Sequence, residues 1–112
     1  MCTVLLRLRP DSEWPVRLAF VRDEDRDRAS DPPDRWWPEL PHVIGGRDSR
    51  AGGTRLAIDL SSSPSVALLT DQYDPTATLP DPARSPTRGT LPLRALDRGP
   101  QFDLEADAPS GV

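Results

Sequence analysis

Residues 2–9, CTVLLRLR, alternate in character: Cys2, Val4, Leu6 and Leu8 fall on one face, and Thr3, Leu5, Arg7 and Arg9 on the other. A period of two predicts a strand with an apolar even face. Pro10, Asp11 and Ser12 then give a turn. Residues 15–21, PVRLAFV, repeat the alternation, with Val16, Leu18 and Phe20 on one face. The connection from Pro10 to Trp14 suits an antiparallel hairpin. Such a hairpin brings the start of its first strand to the end of its second, so Cys2 is expected beside Arg22 and Asp23.

From Asp23 to Pro41 the chain is charged and proline-rich, and reads as a long surface loop in which Trp36 and Trp37 act as packing residues. Residues 42–53, HVIGGRDSRAGG, hold two Gly-Gly pairs around a short polar segment and read as turns. They are no phosphate loop, since no G-K-[ST] follows. Two further strands are expected at 54–60 (TRLAIDL) and 66–70 (VALLT), joined as a second hairpin through Ser61 to Ser65. After Thr70 the pattern decays. A short helix is expected from Leu91 to Leu96, with Pro92 confined to its first turn. Residues 97–112 are expected to be a disordered tail after a single domain over residues 1–96.

Composition narrows the function classes. The chain has 112 residues, room for one small domain, and only 36% of them are hydrophobic. It carries 18 acids against 14 arginines and no lysine, for a net charge of −4. Arg, Asp, Pro and Ala in place of Lys, Asn and Ile fit a GC-rich coding sequence. The acidic balance argues against nucleic acid as a partner, which would need a basic stripe. One cysteine and one histidine (His42, an ordinary loop position) exclude an internal disulfide and a Cys/His metal cluster. No apolar run approaches a membrane span, and the first residues are no secretory signal. The expectation is therefore a soluble, cytoplasmic protein.

Five segments in register resemble the NRDE family, also described by transport and Golgi organisation. Met1-Cys2 opens the first strand, and Val21-Arg22-Asp23-Glu24 stands where the family has Asn-Arg-Asp-Glu. Gly45-Gly46-Arg47-Asp48 with Ala51-Gly52-Gly53-Thr54-Arg55-Leu56-Ala57 follows the family's G-R-D and A-G-G-T-W-L-G blocks. Ala67 to Asp71 resembles its A-L-T-N, and Thr87-Arg88-Gly89 its S-R-G. The resemblance implies an α+β, N-terminal-nucleophile-hydrolase-like αββα fold. About four antiparallel strands of it are expected here, with long loops. Family members are longer, so the chain is expected to be the N-terminal half of such a fold, and incomplete.

Taken alone, Cys2 is a small hydrophobe on the apolar strand face, and Arg22-Asp23-Glu24 is a solvated charge run. The resemblance to cysteine amidases adds a second role. Once Met1 is removed, Cys2 offers a thiol and an α-amine of reference pKa about 7.7–8.0 that can serve as its base. Arg22 would favour the thiolate and Asp23 would orient the amine. The implied reaction is hydrolysis of an amide substrate. Three departures bear on it. Val21 replaces an Asn, Arg55 replaces a Trp, and Asp71 stands where an Asn would help form the oxyanion hole. A carboxylate there cannot donate unless protonated, and its charge would oppose the oxyanion. The chain is then an amidohydrolase or its inactive remnant. The alternative is a non-catalytic binding or trafficking protein. No cofactor is read from the residues; the resemblance alone admits haem, with Cys2 or His42 as ligand.

Overall fold

The computed structural model describes residues 2–71, 75, 76, 78 and 87–107. Among these residues six strands form two antiparallel sheets, and one helix of two turns packs on the larger sheet. The chain is α+β.

The first sheet is the expected hairpin, β1 (Cys2–Leu8) with β2 (Val16–Arg22). Its register pairs Cys2 with Arg22, Val4 with Phe20, Leu6 with Leu18 and Leu8 with Val16. Directly opposed residues share a face, so the last three pairs form an apolar ladder, each pair contributing about 0.2–1 kcal/mol. The ladder is covered only at one end. Cys2 and Val4 are half-buried, whereas Leu6 is 55% and Leu8 63% exposed. On the other face Arg7 lies opposite Arg17, a like-charge rung that weakens the pairing.

The second sheet runs β3 (Ser30–Asp34), β4 (Val43–Asp48), β5 (Leu56–Asp59) and β6 (Ser65–Leu68), in chain order. The last two are the second expected hairpin. The first two correct the reading of 23–41 as a loop and of 42–53 as turns, and raise the strand count from four to six. β3 has the sequence SDPPD, poor strand material because proline offers no N–H. It survives as an edge strand with a register shift between Asp31 and Asp34, which spares the ladder the missing donors. Side chains hold it instead. Asp31 pairs with Arg47 on the same rung, and Arg47 Nε donates to its carboxylate at 2.7 Å. The Arg47 guanidinium lies 4.6 Å from the Trp36 ring centroid, and Trp36 Nε1 donates to the Pro32 carbonyl at 2.8 Å.

A short 3-10 turn, Arg88–Thr90, leads into α1 (Leu91–Arg98). Thr87 Oγ1 accepts from Gly89 N at 3.1 Å and so caps the turn. Pro92 sits at the start of the helix as expected, and Gly99, at φ +57°, ends it two residues beyond the expected Leu96. Leu93 and Leu96, three apart, point to the sheet. With Trp37, Val43 and Ala57 they make the core, to which Trp36, Leu40 and Ala67 are packed. Ala57 is fully buried, so β5 lies directly beneath the helix. The opposite sheet face carries a row of Ile44, Ile58 and Val66, of which Ile58 and Val66 are exposed.

Past α1 the described part of the expected tail holds a 3-10 turn, Gly99–Gln101, and a four-residue helix, α2 (Leu104–Asp107), neither with a buried residue. Residues 108–112 lie outside the described residues, as does most of the proline-rich stretch after Asp71.

One junction ties the helix to the sheet. Gly53, after β4, crosses Gly89 so closely that a Cβ on Gly53 would fall 2.6 Å from the Gly89 carbonyl carbon. Thr54 N donates to the Gly89 carbonyl at 2.9 Å, and Asp48 N to the Gly53 carbonyl at 2.9 Å. Trp37 Nε1 donates to the Gly52 carbonyl at 3.0 Å, so the core tryptophan also fastens this loop.

Candidate functional site

A cavity of about 740 Å³ opens where the hairpin's Cys2 end meets β4 and the start of β5. Its floor includes the glycine crossing: Gly53, Thr54, Thr87 and Gly89 all line it. Cys2, Arg22, Asp23 and Asp71, the four site residues read from the sequence, line it too.

The hairpin register explains the first three. Cys2 is the first residue of β1 and Arg22 the last of β2, on one rung, and Asp23 follows directly. The Cys2 side chain is free and half-buried. Arg22 forms an ion pair with Glu24, so two members of the Arg22-Asp23-Glu24 run satisfy each other. Asp23 makes no hydrogen bond or ion pair among the described residues, and stays exposed at the cavity wall. Val21, which stands where the family has an amide, is exposed.

Asp71 arrives from the other hairpin. β5 and β6 pair Leu56 with Leu68, so their flanks, Arg55 and Asp71, emerge at the same end. Arg55 Nη1 donates to Asp71 Oδ1 at 3.0 Å, and Arg88 Nη2 reaches the same oxygen at 2.7 Å. Partial burial pushes the Asp71 carboxyl up. The hydrogen bond and charge of Arg55, with the charges of Arg88 and Arg22, more than offset this and hold it below the ordinary carboxylate range. Residue 71 is therefore an anion at neutral pH and donates no hydrogen bond.

The remaining wall is a set of ion pairs. Arg28 Nε donates to Asp48 Oδ2 at 2.9 Å and bridges the segment after β2 to β4. Asp48 also accepts from Arg50 N at 2.9 Å and Ala51 N at 3.2 Å. Burial raises its carboxyl, but Arg28 and those two backbone donors prevail and hold it low. Arg28, Asp48, Arg47 and Arg88 were not singled out as site residues. Arg47 and Asp48, inside the G-R-D block, and Arg88, inside the segment that resembles S-R-G, carried a signal that could have found them.

Over residues 1–107 the chain matches the family described as Transport and Golgi organisation 2. It belongs to that family. No curated protein and no solved structure matches it. In this member of the Transport and Golgi organisation 2 family, the family-like motifs converge on one cavity: Cys2, the Arg22 run, Arg47-Asp48, Gly53 to Leu56, Asp71 and Thr87 with Gly89 all line it. His42 is exposed and stands off its wall. Ala29 and Leu56 are the only aliphatic hydrophobes among its described lining residues, so the wall offers little of the apolar surface that a porphyrin face needs. No group of His, Cys, Asp and Glu among the described residues is arranged to hold a metal ion. No helix among them is long and apolar enough to cross a membrane.

Proposed function

We propose that this chain hydrolyses an amide bond with Cys2 as the nucleophile. The observation that carries the reading is the Cys2–Arg22 rung, which sets a half-buried thiol on the wall of a cavity shared with Asp23 and Asp71. Once Met1 is removed, the α-amine takes the thiol proton and the sulfur attacks the amide carbonyl carbon. The C–N bond then breaks, the amine leaves with that proton, and water cleaves the resulting thioester. Arg22 faces the thiolate, and Asp23 holds the protonated amine. Charge developing on the carbonyl oxygen is met by guanidinium groups, since anionic Asp71 cannot donate. The N-terminal-nucleophile-hydrolase-like arrangement is part of this proposal.

One observation favours a second reading, a non-catalytic binding protein. A carboxylate sits at the position where an amide donor would serve an oxyanion.

Intact mass before and after brief iodoacetamide treatment at pH 7 tests the proposal. Loss of Met1 with rapid labelling of Cys2 is the expected result. Retained Met1, or a Cys2 that labels only after denaturation, would sink the nucleophile and leave the binding reading.

A further inference from the structure

We infer that Arg55, Asp71 and Arg88 form a binding position for a carboxylate of the ligand, beside Cys2. The inference deepens the proposed function and rests on its reading of Cys2 as the reactive group. Three other ion pairs on the cavity wall match one to one: Arg22 with Glu24, Arg28 with Asp48, Arg47 with Asp31. Here two guanidiniums share a single carboxylate, both through Oδ1 of Asp71. One positive charge is left over among the described residues. Each guanidinium has five N–H donors, and the shared oxygen occupies one nitrogen of each. The free edges of the planar forks match a carboxylate in geometry.

The cluster is accessible yet partly shielded, the Arg55 side chain being 21% and Arg88 49% exposed. Arg55 and Asp71 line the cavity directly, and Arg88 stands between two lining residues, Thr87 and Gly89. Cys2 and its rung partner Arg22 line the same cavity as Arg55 and Asp71. The stretch just after Arg22 is acidic, Asp23 and Asp25 outnumbering Arg26. A residual charge of one suits a monoanion, so the substrate class is an amide that carries a carboxylate.

The test compares alkylation of native Cys2 by iodoacetate, which bears a carboxylate, and by neutral iodoacetamide at pH 7. Each rate is divided by that of free cysteine. The expected preference for iodoacetate is roughly two- to fivefold, the range for one half-exposed charge. Arg55→Gln should abolish it, and Asp71→Asn should raise it by freeing a second positive charge. Opposite signs from two variants do not arise from damage to the fold, which far-UV circular dichroism checks. Added acetate should slow the iodoacetate reaction more than inorganic phosphate at equal ionic strength. A ratio equal to that of free cysteine, a preference that survives Arg55→Gln, or stronger competition by phosphate overturns the carboxylate position while leaving Cys2 reactive. If iodoacetamide leaves native Cys2 unmodified, the nucleophile reading fails and this proposal fails with it.

Discussion

Replacing Gly53 by Ala puts a methyl group into main chain. The added Cβ lies 2.6, 2.7 and 2.8 Å from the carbonyl carbon, the oxygen and the Cα of Gly89. No flexible side chain can yield, so the loop after β4 and the turn before α1 must part by most of an ångström. Overpacking of this kind costs typically about 1–3 kcal/mol. The hydrogen bond from Thr54 N to the Gly89 carbonyl stretches with it, at about 0.5–1.5 kcal/mol. Against this, Ala restricts the unfolded chain and returns about 0.4–1 kcal/mol. Gly53 does not sit in the left-handed region, so no backbone strain is added. The balance is a loss of about 2 kcal/mol, or about 8 °C in Tm for a chain of this length. Gly46→Ala is the matched control, because its Cβ would meet only the Asp31 carbonyl oxygen, at 3.5 Å. There Ala in a strand should be neutral or stabilising by up to about 1 kcal/mol. Urea denaturation followed by tryptophan fluorescence reports both, since Trp37 is buried in the core beside this junction. If Gly53→Ala and Gly46→Ala differ by less than about 0.5 kcal/mol, a margin that unrelated surface changes span, the crossing does not hold the helix to the sheet.

Three further outcomes are expected. Leu96→Ala, which opens a space beneath α1, should cost about 2–4 kcal/mol in the same assay; a cost below about 1 kcal/mol would mean that the helix does not close the core. Asp48 has a depressed carboxyl, so its contribution to stability is complete above the unfolded value of about 3.9 and is lost as pH falls through the lower folded value. Asp48→Asn should therefore lower the urea midpoint at neutral pH and flatten its decline towards acid, and an unchanged acid limb would contradict the Arg28 pairing. Leu6→Lys with Leu8→Lys should cost no more than about 1 kcal/mol per site, the worth of the cross-strand pair each gives up, while reducing binding of an apolar dye; a larger loss would show that this hairpin face is covered.

The hairpins were legible because their residues alternate cleanly, and alternation at period two is a local signal. The Cys2–Arg22 neighbourhood followed from one of them without any further contact. β3 was hidden because its stability lies elsewhere in the chain: SDPPD has no strand propensity, and Arg47 and Trp36 supply what its backbone lacks. β4 was hidden because Gly45, which lets it approach β5, belongs to a Gly-Gly pair of the kind that usually marks turns. Within the site, Arg55 was noticed only as a missing tryptophan. Its partner lies sixteen residues away, and the hairpin register between them was sufficient to find it. Arg88 reaches Asp71 through the tertiary fold alone, from a segment with no periodic pattern to place it.

The floor of the cavity at Gly53 and Gly89 is main chain meeting main chain. Side-chain replacement cannot alter such a surface; it can only break it. The charged side chains around the floor can be exchanged without that clash. For an engineer the same division is a design rule: keep the two glycines and the threonine between strand and helix, and vary the rim. Libraries restricted to positions 23, 26, 55 and 71 would sample ligand preference at little risk to folding, whereas libraries that include 53 or 89 would lose stability in most members.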